Sequence, residues 1–172
     1  MVMRTLATAV LAILALAGGG CGDDEAAPDP GAGPESVGEA IEFVRNFPPA
    51  TSGGIREPMQ VVLKDPKALA DLWEKANAHL APLPAPPKVD FAKEMVALAS
   101  LGLKPTAGYA IEIVGARAVG KTTRILWSAH EPGTAASLVK LETQPWHAVI
   151  LPTASTVEWV EYIPPGRRPQ PK

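Results

Sequence analysis

The stretch 89-VDFAKEMVALASLGLKPTAGYAIEIV-114 decides the fold. It holds two apolar runs, Met95 to Leu103 and Tyr109 to Val114, joined by Lys104-Pro105-Thr106-Ala107-Gly108. The first run is short and carries no charge, the pattern of a strand covered on both faces. The second alternates, with Tyr109, Ile111 and Ile113 on one side and Ala110, Glu112 and Val114 on the other, as in a half-buried strand. Pro105 fixes its own φ and Gly108 can take φ > 0, so the connection is expected to be a tight hairpin loop. That hairpin is expected to be the centre of the domain.

Upstream of it, Met59 to Leu63 reads as a short strand. Asp65-Pro66 reads as a helix start, with Asp65 as N-cap and Pro66 at the first helical position. Leu69, Leu72, Trp73, Ala76 and Leu80 then form one apolar stripe, with Lys67, Asp71, Glu74 and Lys75 away from it. The spacing predicts a helix over 66–80, ended by the prolines of PLPAPP at 82–87. Ala40 to Phe47 begins the order, interrupted by Pro48-Pro49 and Gly53-Gly54. Downstream, Lys121 to Ala129, Ser137 to Glu142, Trp146 to Leu151 and Val157 to Ile163 read as strands. The fold class expected is α+β: a mainly antiparallel sheet or sandwich of six or seven strands with one packed helix, over residues 40–163.

The ends are of different character. Met1 to Arg4 is a short basic region, followed by the apolar run Leu6 to Ala17 and then Gly18-Gly19-Gly20-Cys21. About a dozen apolar residues are too few to span a bilayer, so this is read as an export signal. Small residues ahead of the single cysteine resemble a bacterial lipoprotein signal, although Gly18 stands where such signals usually carry Leu, Val or Ile. Residues 1–21 are therefore expected to end at a lipidated Cys21, anchoring the chain to the bacterial cell membrane with its domain facing the periplasm or exterior. Residues 22–39, acidic and rich in Pro, Gly and Ala, are expected to be a disordered tether, and residues 164–172 a basic tail. Between these ends, residues 43–163 carry 12 basic and 11 acidic side chains. A domain so close to neutral has no electrostatic footprint for nucleic acid.

Gly115-Ala116-Arg117-Ala118-Val119-Gly120-Lys121-Thr122 fits G-x-x-x-x-G-K-[ST] and follows the strand-like IEIV. As a phosphate loop it would need a helix starting at Lys121, whose amides and dipole hold the anion. The following TTRILWSAHEPG instead alternates and is rich in β-branched residues, and no strand ending in Asp follows to hold a metal. The reading is a β-hairpin turning at Ala118-Val119-Gly120 with Lys121 in solvent. A nucleotide-binding enzyme through Gly115 to Thr122 is left as the remote alternative.

No other cluster carries chemistry. His79, His130 and His147 have no metal-ligand spacing, no serine sits in a nucleophile context, and Cys21 is assigned to lipidation. Asp90 and Glu94 are expected to tie down a strand entry. Trp73, Trp127, Trp146 and Trp159 read first as core anchors; Trp146, after Pro145, is the one that reads alternatively as exposed in a loop, and with Tyr109 it either meets a partner or caps the core. No catalytic residue, metal or cofactor is expected, and no enzymatic activity.

The order VVLKDPKALADLW, VDFAKEMVALASLG, KPTAGYAIEI, a Pro132-Gly133 turn and TQPWHAVILP resembles the C-terminal domain of the PrcB family over about residues 52–152. The PTxGY-type segment after an acidic DF step is its most specific part, and Trp146 departs from the Tyr usual there. The resemblance implies a non-catalytic, membrane-tethered accessory domain that assembles or stabilises an extracytoplasmic protease partner. Lys104 to Tyr109 and Gln144-Pro145-Trp146 also resemble, more weakly, the NPTTGY-like and RPW-like loops of chagasin-type inhibitors, which implies a cysteine-peptidase inhibitor as the alternative. Lys104, Ala107 and Gln144 depart from that pattern. Under either resemblance the partner-binding residues expected are Lys104, Pro105, Thr106, Gly108, Tyr109, Pro145 and Trp146, on two proline-stiffened loops.

Overall fold

The computed structural model describes residues 37–133 and 139–164. The expected signal, Cys21, most of the acidic tether and all but the first residue of the basic tail lie outside the described residues.

Among the described residues, eight strands and one helix follow in the order β1 (Glu39–Ile41), β2 (Arg45–Asn46), β3 (Pro58–Leu63), α1 (Pro66–Ala76), β4 (Glu94–Leu101), β5 (Ala110–Val119), β6 (Thr122–His130), β7 (Trp146–Pro152) and β8 (Thr156–Glu161). They form two four-stranded sheets, one ordered β1-β5-β6-β8 and the other β2-β7-β4-β3. All pairs are antiparallel except β6 with β8, which run parallel from Thr122↔Thr156 to Trp127↔Glu161. The α+β class with a mainly antiparallel sandwich therefore holds. The strand count is higher than expected because β1 and β2 are short and mostly exposed, and so carry almost no periodic signal.

β4 lies at the middle of its sheet because both of its faces are apolar. Met95, Ala97 and Ala99 point to the other sheet and pack with Ile111, Ile113, Ala116, Ile125, Val149 and Leu151. Val96 and Leu98 point the opposite way, into a second core with Leu69, Trp73 and Ala76 of α1 and with Ala148 and Ile150 of β7. The result is three layers, with α1 over the β4 sheet and the β5 sheet beneath it.

This arrangement corrects the central hairpin. β4 pairs with β3 on one edge and β7 on the other, from Pro58↔Leu101 and Glu94↔Pro152 onward. No edge is left for β5, which pairs with β1 and β6 in the opposite sheet. Residues 102–109 are thus a crossover between sheets. It leaves β4 at Gly102, whose φ is +70°, and reaches β5 after Gly108, whose φ is +96°.

The helix starts as expected: Asp65 Oδ1 accepts from Lys67 N–H at 2.9 Å and Ala68 N–H at 3.2 Å. It ends at Ala76, one turn before the predicted limit, with Asn77 as C-cap. Asn77 also donates from Nδ2 to Trp73 O at 2.9 Å, closing the last turn with a side chain. Leu80, assigned to the apolar stripe, lies outside the helix and is exposed. The strand expected over Ser137 to Glu142 also fails where it is described: residues 139–142 are coil with every side chain exposed. Asp90 and Glu94 do tie down the entry to β4, through Asp90 N–H to Glu94 Oε2 at 3.0 Å and Ala92 N–H to Asp90 Oδ1 at 3.2 Å.

Candidate functional site

The crossover between the sheets is held by the segment leading into β7. Lys104 and Thr143 exchange both backbone hydrogen bonds, at 2.8 and 3.0 Å, in an isolated antiparallel bridge. Thr143 Oγ1 donates to Thr106 O at 3.1 Å, and Ala107 N–H donates to Val139 O at 3.1 Å. The 104–109 segment is thus joined along its backbone to residues 139 and 143, just ahead of the Gln144-Pro145-Trp146 loop expected to act with it. Lys104 Nζ sits 5.2 Å from the centre of the Tyr109 ring, a cation–π contact across the loop. Gly108 is backed by Pro132, whose Cβ would lie 3.0 Å from any added side-chain carbon.

Pro105 and Gly108 are exposed on this edge, and Lys104, Thr106 and Tyr109 are half-buried. Val139 and Leu141, which the sequence pattern assigned to a strand, stand beside them at 65% and 57% exposure. These two exposed apolar side chains lie next to a hydrogen-bonded loop. Their alternation in the sequence was a visible signal, but in coil with all of residues 139–142 exposed it marks no buried face.

Pro145 and Trp146 sit elsewhere. Pro145 is fully buried, and Trp146 is only 5% exposed, which corrects the exposed-loop reading. Trp146 is the first residue of β7 and points into the core beneath α1. Its ring meets Trp73 edge-on at 5.8 Å, and its Nε1–H donates to Ser52 O at 3.1 Å. An apolar ring with one satisfied polar atom belongs in a core. These two residues hold the loop in place from behind and do not face solvent.

The Gly115–Thr122 segment forms a hairpin. β5 runs through Val119 and pairs with Thr122, so the turn is Gly120-Lys121, one to two residues beyond the expected position. A strand follows Lys121 where a phosphate loop needs a helix, so the segment lacks the amide cradle of that motif. Gly115 marks a β-bulge, where the register slips between Ile113 and Gly115. The slip keeps Ile111, Ile113 and Ala116 all facing the core.

His147 is fully buried between the sheets. Its Nδ1 accepts from Ile113 N–H of β5 at 2.8 Å, while Nε2–H faces Asn46 Oδ1 at 2.9 Å and Phe47 O at 2.6 Å. This set of partners fixes the neutral tautomer. Burial lowers its pKa from the usual value, against smaller opposing effects of the Phe47 carbonyl and Glu112. The ring is a structural clasp between the two sheets. Among the described residues, no group of three or more His, Cys, Asp or Glu is placed to hold a metal, and no helix is long and apolar enough to cross a membrane.

Two sheets, a covering helix and a hydrogen-bonded loop edge define a β-sandwich domain. Residues 95–152 match the family model described as PrcB C-terminal. The resemblance drawn from the sequence is therefore supported over β4 to β7, about a third of the chain, and that span includes the whole loop edge. No curated protein and no solved structure matches the chain.

Proposed function

We propose that this domain is a non-catalytic binding module that holds an extracytoplasmic protease partner at the bacterial cell envelope. The observation that carries the reading is the loop edge: Lys104 to Tyr109 bridged to Thr143, with Val139 and Leu141 exposed alongside. Backbone hydrogen bonds and buried Pro145 pre-order the edge, so little conformational entropy is lost when a partner covers it. Exposed Val139 and Leu141 supply apolar area at its centre, and Lys104 with Tyr109 supplies a charged, aromatic flank. The PrcB C-terminal match supports the same assignment, because that family is not a known catalytic one. Lipidation at Cys21 would place the domain at the membrane surface.

The chagasin-like alternative needs two aromatic loops presented together. Burial of Trp146 removes one of them, so the accessory reading is preferred. The test is retention of partners by the tagged protein from detergent-solubilised membranes, compared with a Val139→Glu, Leu141→Glu variant. Both positions are exposed, so the variant keeps its fold. A protease retained by the native protein and lost by the variant supports the proposal; a native sample that retains no protease overturns it.

A further inference from the structure

The end of the sandwich that carries the β5–β6 turn holds a second feature, an open cleft of about 540 Å³. Its walls come from both sheets: Lys64 just after β3, Gly120 to Thr123 at the hairpin, and Thr153 to Ser155 between β7 and β8. Lys64, Lys121, Thr122, Thr123, Thr153 and Ser155 are among the residues that line it, and no acidic residue is. The nearest acids along the chain have other partners. Asp65 caps α1, and Glu158 accepts from Arg124 Nε at 2.7 Å. The lining therefore combines two lysines and four hydroxyl-bearing residues with Ala118, Gly120 and Ala154, and holds no acid.

Its walls are held. Thr153 N–H donates to Lys93 O at 2.8 Å, and Lys64 Nζ donates to Ala154 O, so the β7–β8 connection is fastened from two sides. Gly120 has φ +60° and nothing within 4 Å of where a side chain would start, which leaves the turn open toward the cleft. Lys64 uses one of its three N–H donors on Ala154, leaving two for a ligand. The geometry points to a binding site for a phosphate group, in which Lys64 and Lys121 form charge-assisted hydrogen bonds and the threonine and serine hydroxyls complete the shell. The site uses no helix N-terminus and is not a nucleotide-type phosphate loop. It reaches a phosphate with side chains, from two sheets at once. The phosphate could belong to a soluble molecule or to an anionic lipid headgroup beneath the domain, and the chemistry of recognition is the same.

The test is an amide chemical-shift titration of the full chain with sodium pyrophosphate. In parallel, its binding to vesicles of pure phosphatidylcholine is compared with vesicles containing phosphatidylglycerol. Any lipid anchor contributes equally to both vesicle types, so the difference between them reports the headgroup. Each experiment is repeated with Lys121→Gln and with Lys64→Gln. Lys121 is exposed at a turn and its replacement leaves the fold intact, which keeps the result interpretable if Lys64→Gln loosens the Ala154 loop. The site predicts saturable shifts at Thr122, Thr123 and Ser155, weakened about tenfold by Lys121→Gln, as loss of one charge-assisted bond implies. Shifts with pyrophosphate alone assign a soluble phosphate; a preference for phosphatidylglycerol lost in Lys121→Gln assigns a headgroup. Absence of both responses, or responses unchanged in both variants, overturns the proposal.

Discussion

Trp146 shows how one side chain separates two functions that look alike in sequence. A tryptophan after a proline, near a turn, has the pattern of a partner contact, yet its ring closes the core against Trp73. Trp146→Ala is expected to destabilise the domain by about 3–5 kcal/mol in urea unfolding, the usual cost of deleting a buried aromatic ring. A loop contact would lose almost nothing. His147 gives a second residue-scale prediction. Its folded pKa is lowered, so on acidification the unfolded chain binds a proton before the folded one does. Stability contributed by the neutral ring is fully present above the ordinary histidine value of 6.5 and is lost as pH falls below it toward the folded pKa. Urea midpoints are expected to drop between pH 7 and pH 5.5, and the drop should flatten in His147→Leu. Equal slopes in both proteins would remove His147 from the account. The burial of His147 was not legible from the sequence, because its partners are Ile113 on one segment and the adjacent Asn46 and Phe47 on another, both distant in sequence.

Elements were legible in proportion to how local their causes are. Helix α1 was read from Asp65, Pro66 and the stripe behind them, because capping and 3.6-residue periodicity are properties of a short window. Asp65→Ala is expected to cost about 1 kcal/mol in urea unfolding through loss of its two N-cap hydrogen bonds. Strand pairing depends on the whole molecule, and β4 and β5, adjacent in the chain, pair in different sheets. The distinction was nonetheless present in the residues. Met95 to Leu103 is apolar on both faces and needs cover on both sides, whereas Tyr109 to Val114 is apolar on one face and suits an outer sheet. Proximity in sequence outweighed that signal, although the turn residues Pro105 and Gly108 suit a crossover as well as a hairpin. The glycines at the two turns should behave differently. An alanine at Gly102 would place Cβ 2.7 Å from Pro58 N and 2.8 Å from Arg56 O at positive φ, while one at Gly120 meets nothing within 4 Å. Gly120→Ala is expected to cost about 1 kcal/mol for its backbone alone, and Gly102→Ala distinctly more because backbone atoms must move. Equal costs in thermal or urea unfolding would contradict the tight crossing at Gly102.

At the scale of the whole molecule, three layers account for both the stability and the surfaces of the domain. The central strands β4 and β7 are buried on both faces, and two separate cores form on either side of them. Stability therefore resides in the middle layer, and the connections at the ends of the strands are free to carry binding groups. One such connection is the edge built from Lys104 to Tyr109 and residues 139–143; another is the basic cleft around Lys64 and Lys121. The first was partly legible, since Pro105, Gly108 and Tyr109 stood out by residue type, but Val139 and Leu141 acquire meaning only when the bridge to Thr143 is seen. The second was not legible, because Lys64, Lys121 and Ser155 are far apart in the chain and converge through the packing of two sheets.

The central claim is that the edge beside Lys104 faces a protease. It is tested most directly by placing a photo-crosslinking amino acid at Leu141, or as a control at Glu74 on the exposed face of α1, in the full-length protein in its native cells. The account predicts a protease crosslinked from position 141 and absent from position 74. Crosslinks to a protease from position 74 alone, or none from position 141 in a protein that is correctly folded and located, would contradict it.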